Sequence, residues 1–196
     1  MLSLIDTKLF INALLFQAVW LVCVQGNNFY AVFSTVLLLI INQVMFKTRL
    51  KFLALLLIFS FIGYVGDNVI SSALRLHYTN NFILFPQSES SITLAPLWLL
   101  SLWIAFSTTL NHSLAWLQKS PYIAFLIGGL LVPLSYLAGI NLSNSEFLAT
   151  ASNPNINVIG LFYILEGLWW ALLLTSYQQI VHFYKNLPIS NEASHD

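Results

Sequence analysis

The stretch "LAPLWLLSLWIAFSTTLNHSLAWL", residues 94–117, contains both the argument for the fold and its main difficulty. Up to Phe106 it is apolar apart from Ser101; Ser107, Thr108, Thr109, Asn111, His112 and Ser113 then crowd together. Pro96 suits the first turn of a helix, where its missing N–H costs nothing, with Thr93 nearby as a cap. A helix over 96–117 is long enough to cross a bilayer. Its inner half nevertheless carries six hydrogen-bonding side chains where lipid offers them no partner.

The rest of the chain has the same character. Of 196 residues, 58% are hydrophobic and 7% charged, whereas a soluble domain carries roughly 25% charged residues. Such a composition cannot cover a water-facing surface, so the chain reads as an integral membrane protein. A bilayer core takes roughly 20 apolar residues per helix. Six stretches qualify, near 9–25, 29–46, 52–75, 96–117, 122–141 and 157–184. The first lacks a strongly basic start and a small-residue cleavage site, so it reads as a retained helix. The expected architecture is an all-α, polytopic bundle of six transmembrane helices over residues 1–186, followed by a polar tail at 187–196.

Basic residues set the expected orientation. Lys8 precedes the first span; Lys47, Arg49 and Lys51 separate the second and third; Lys119 and Lys185 follow the fourth and sixth. Lys and Arg accumulate on the cytoplasmic side, which places both termini and the tail there. Seven basic and seven acidic residues cancel, so no basic face for nucleic acid exists. Cys23 is the single cysteine and reads as a packing residue. No metal or cofactor signature is present, and none is expected.

Ionisable groups within hydrocarbon cost about 3 kcal/mol on insertion scales, so each needs a reason. Asp67, His112 and Glu166 are the candidates. At 1.5 Å rise per residue, Asp67 lies about 10 Å and Glu166 about 13 Å below the outer surface. His112 lies about 24 Å down, near Asn12, Asn42 and Asn111. Two polar layers are therefore expected, an outer one of Asp67 and Glu166 and an inner one of amides and His112. Ser60, Gly63, Tyr64, Asp67 and Ser71 share one helix face, as do Tyr163, Glu166 and Trp170, and Ser101, Ala105, Thr108 and His112. Those faces should turn inward. Carboxyls that met in the outer layer would share a proton, which suits acid–base work.

The plainer reading is interhelical glue. Ser and Thr bond back to their own helix, and an Asn clamps a neighbour for about 0.6 kcal/mol. Aromatic packing is the default for Trp103, Trp169 and Trp170, with a wall for a lipid chain as the alternative. In the fifth span, Gly128, Gly129 and Pro133 suggest a kink, and the Ser135-xxx-Gly139 pair suggests a tight helix contact.

"INALLFQAVWLVCV" (11–24), "GYVGDNVISSAL" (63–74) and above all residues 94–117 resemble a family of small bacterial inner-membrane proteins, catalogued as domain of unknown function twenty-eight seventy-eight. On that likeness Asp67, Trp98, Trp103, Phe106, Thr109, Asn111, Ser113 and Trp116 carry the motif, and His112 stands outside it. The resemblance implies a bacterial cytoplasmic-membrane location with no assigned reaction. Some members are encoded beside fatty-acid-modifying enzymes, which points toward lipid. The "GD" pair on a membrane helix also resembles membrane lysoplasmalogenases, although those have more spans and a second acidic motif absent here.

Three functional readings follow, and the residues do not fix a reaction. The first is a membrane-embedded enzyme or binding protein acting on a membrane lipid. Asp67 and Glu166 would be acid–base groups, Asn111 would orient substrate, and Asn68, Trp103, Thr108, His112 and Trp170 would bind it. The second is a small proton-linked or lipid carrier, for which six helices imply a homodimer. The third is a scaffold whose polar residues are all glue.

Overall fold

The computed structural model describes residues 4–25, 27–78, 82–84, 92–142, 148–150 and 156–186. Six α-helices dominate: α1 (Leu4–Val24), α2 (Asn28–Phe46), α3 (Leu50–Ala73), α4 (Leu97–Leu110), α5 (Pro121–Leu142) and α6 (Ile156–Asn186). Five of them are long and apolar enough to cross a membrane, and α4 is a shorter apolar helix. The protein is thus an all-α polytopic bundle. The expected tail at 187–196 lies outside the described residues.

Burial is inverted relative to a soluble protein. Phe33 is 62% and Leu130 61% exposed, while Asn12, Ser60, Asp67 and Glu166 are each 0% exposed. Hydrocarbon solvates the apolar exterior and offers nothing to the polar interior. The stripe Ser60–Gly63–Tyr64–Asp67–Ser71 faces inward throughout.

The shortest helix is the central one. α4 packs against α1, α2 and α3, and α6 packs against α3 and, most extensively, α5. Both faces of α4 are buried, from Trp98 and Leu99 to Thr109 and Leu110. Its start is held by other helices. Asn28 Oδ1 accepts from the Trp98 N–H at 2.9 Å, and Asn68 Oδ1 from the Ala95 N–H at 2.6 Å. Thr93, expected as a nearby cap, instead pairs with Ile83 in a strand.

The continuous helix expected over 96–117 is corrected at its inner end. α4 stops at Leu110, about 21 Å from its start by the usual rise. A turn and a short 3₁₀ helix (Ala115–Lys119) complete the crossing. Asn111 is the terminating residue, and its side-chain oxygen is engaged by Tyr177 and Gln118 from later segments. The freed carbonyls find donors: the Leu114 and His112 N–H groups reach Thr109 O at 2.7 and 3.0 Å, and Gln118 Nε2 reaches Leu110 O at 2.9 Å.

Short strands cap the end to which α3 rises. β1 (Leu76–Tyr78) pairs antiparallel with β4 (Leu148–Thr150), and β2 (Phe82–Leu84) with β3 (Ile92–Leu94). The first pair ties the α3–α4 connection to the α5–α6 connection. In the α5–α6 hairpin, a Cβ on Gly128 would stand 2.8 Å from the Ala171 backbone, so the glycine is what lets the two backbones meet. α5 continues through Pro133 as one helix.

Candidate functional site

The outer layer assembles from four helices. On α3, a small-residue face lets Asp67 turn inward; Gly63 in particular leaves the space that the Trp103 ring of α4 fills. Trp103 Nε1 then donates to Asp67 Oδ2 at 2.7 Å, and the Tyr136 hydroxyl of α5 donates to the same oxygen at 3.1 Å. Glu166 of α6 completes the group, its carboxyl within hydrogen-bonding reach of Asp67. With both carboxyls ionised, Asp67 Oδ1 and both Glu166 oxygens have no donor. The contact becomes a hydrogen bond once one of them carries a proton. Among the described residues no cation stands against either carboxyl.

Two indoles connect this pair to a cleft. The Trp170 ring stacks on Trp103 at 3.9 Å and 14°, and Phe106 meets Trp170 edge-on at 4.9 Å. All three line a cavity of about 290 Å³ that runs from α1 across α4 to α5, between Trp20 on one side and Leu131 and Tyr136 on the other. α1 and α5 barely touch each other, which leaves the space. Its walls are mainly apolar, with Gln17, Ser135 and the tyrosine as polar points. Trp103 and Tyr136 thus present their rings to the cleft and their donor atoms to Asp67.

The inner layer forms a separate amide cluster. Asn12 Nδ2 donates to Asn42 Oδ1 at 2.9 Å, and Asn12 Oδ1 accepts from Ser113 Oγ at 2.7 Å. Asn111 Oδ1 accepts from the Tyr177 hydroxyl at 2.8 Å and from Gln118 Nε2 at 3.2 Å. Eight residues of α4 separate Trp103 from Asn111, about 12 Å along the axis, so the structure does not bring Asn111 to the carboxyl pair.

The remaining sequence candidates are placed as follows. Thr108 Oγ1 bonds back to Ala105 O at 2.8 Å, and Ser107 and Thr109 do likewise to Ile104 and Phe106. The crowded hydroxyls at 107–109 are therefore satisfied within their own helix. His112 is half-buried and stacks on Phe46 at 3.7 Å, away from the outer layer. Asn68 uses both polar ends, Nδ2 to Tyr64 O and Oδ1 to Ala95 N–H, as a clip between α3 and α4. Trp103, Trp170, Asp67 and Glu166 are the four that converge.

Tyr136 was not among the sequence candidates. It lies fifteen residues past Pro121, about 22 Å from the opposite face, and so shares the depth of Asp67. The same depth arithmetic, applied to hydroxyls as well as to carboxyls, would have found it.

The fold and its buried polar centre define a multi-pass membrane protein with an internal carboxyl pair. A family model described as protein of unknown function, DUF2878, matches residues 9–176, and the chain belongs to that family. No curated protein and no solved structure matches the chain, so the likeness of the Gly66–Asp67 pair to membrane lysoplasmalogenases gains no support.

Proposed function

We propose that this is a membrane-embedded protein that takes the acyl chain of a membrane lipid into the cleft between α1 and α5 and acts on it through Asp67 and Glu166. One observation carries the reading: two of the side chains that line the apolar cleft, Trp103 and Tyr136, are the two that donate to Asp67. Aromatic and aliphatic walls suit an acyl chain, and a buried titratable pair beside a cavity is the usual signature of chemistry rather than of packing. Asn111, held by Tyr177 and Gln118, supports the helix end in this scheme rather than the substrate. The basic-residue pattern favours both termini on the cytoplasmic side, and the family resemblance is what implies a bacterial cytoplasmic membrane.

The test uses vesicles of phosphatidylethanolamine and phosphatidylglycerol containing a phospholipid with a photoactivatable acyl chain. Cross-links are expected on Trp20, Leu102 or Phe106, and Val132→Trp should lower their yield several-fold by filling the cleft. Cross-links spread evenly over outward residues such as Phe33 and Leu57, and unchanged by Val132→Trp, would remove the reading. For the chemistry, Asp67→Asn in a host lacking its own copy should reproduce the lipid composition of the deletion. Normal lipids in that strain would leave a binding protein without a reaction.

A further inference from the structure

We infer that the carboxyl pair holds a single proton and that Glu166 carries it, so that Glu166 is the acid of the centre and Asp67 its carboxylate. The inference rests on the reading of the pair as the reactive end of the cleft, but its argument is a count of donors and acceptors. A carboxylate needs donors, whereas a carboxylic acid needs an acceptor for its hydrogen. Asp67 Oδ2 has two donors, the indole of Trp103 and the phenol of Tyr136. Glu166 has no donor at either oxygen.

Either placement of the proton joins the pair by one hydrogen bond and leaves one Glu166 oxygen without a partner; the two differ in where the charge sits relative to the donors. With the proton on Glu166 and directed at Asp67 Oδ1, both Asp67 oxygens receive hydrogen bonds and the acid has its acceptor. Hydrogen bonds to an ionised acceptor are roughly twice as strong as neutral ones, so both donors act on the charge. With the proton on Asp67, those donors would serve a neutral group, and the Glu166 carboxylate would have Asp67 as its single donor. With no proton, two like charges would adjoin in a fully buried site that no cation reaches among the described residues. Among the described residues, the titratable and donor groups facing the pair are Tyr136 on α5, Trp103 on α4, and Tyr64 and Tyr78 on α3 and β1. None is basic. Two carboxyls whose surroundings differ this way divide into an acid and a base.

Infrared spectroscopy of the purified protein at neutral pH reads the proton without any lipid, so its result is independent of the cross-linking. The carbonyl band of one un-ionised carboxylic acid is expected, retained in Asp67→Asn and absent in Glu166→Gln. Isotopic labelling of glutamate carboxyls in the unsubstituted protein should shift that band, and labelling of aspartate should not. This settles the assignment even if a variant fails to fold. A band that follows aspartate, two such bands, or none would overturn the inference. Absence of lipid cross-links with the glutamate band intact would sink the lipid reading alone.

Discussion

Removing Asp67 in two ways separates its hydrogen bonding from its charge. Asp67→Ala leaves Trp103 Nε1 and the Tyr136 hydroxyl without the oxygen they share at 2.7 and 3.1 Å. An orphaned buried donor costs about 1–3 kcal/mol in soluble proteins. Interhelical bonds in membranes average nearer 0.6 kcal/mol, because dispersed helices find other partners. Taking about 1 kcal/mol per donor and about 1 kcal/mol for the void gives a loss of about 3 kcal/mol. Asp67→Asn keeps the volume, accepts through its remaining oxygen and can donate its amide to Glu166, so it should cost less than about 1 kcal/mol. Both variants can be unfolded by SDS in mixed micelles and followed by tryptophan fluorescence. Equal stability of the two, within about 0.5 kcal/mol, would mean that the donors do not need Asp67 and that the network carries no energy.

Other variants test other parts of the bundle. Tyr136→Phe removes one donor and should lower stability by about 0.6–1 kcal/mol in the same SDS titration. Asn12→Leu abandons Asn42 and Ser113 together, with an expected loss of about 2 kcal/mol and a lower melting temperature in detergent. Gly128→Ala forces a methyl against the Ala171 backbone and should cost about 1–3 kcal/mol, whereas Gly160→Ala, with nothing within 4 Å of the added carbon, should stay within about 0.5 kcal/mol. Reporter fusions at the two ends should both read as cytoplasmic.

The spans were legible because hydrocarbon demands long apolar helices and the chain offers few alternatives. The outer pair was legible for a related reason. Asp67 and Glu166 are costly at depth, and a rise of 1.5 Å per residue put them in one layer before any contact was known. The break after Leu110 was not legible, because 94–117 carries no glycine or internal proline to announce it. What ends the helix is tertiary, namely Gln118 and Tyr177 reaching Asn111 from later segments. Tyr136 was missed because a tyrosine within an apolar run resembles packing until its partner is known. The cleft itself depends on α1 and α5 standing apart, which no single segment encodes.

The short central helix bears on how the molecule is made. α4 is too brief to hold itself across a bilayer when it first leaves the ribosome, and both of its ends rely on amides from elsewhere. Asn12, Asn28 and Asn68 precede it in synthesis and can receive it at once, whereas Tyr177 emerges last. Ordered insertion is the expected consequence: the first three helices provide the cradle for the fourth, and the sixth secures its inner end through Tyr177 and supplies the second carboxyl. Truncation before that point should leave an unfinished chain for membrane proteases to remove.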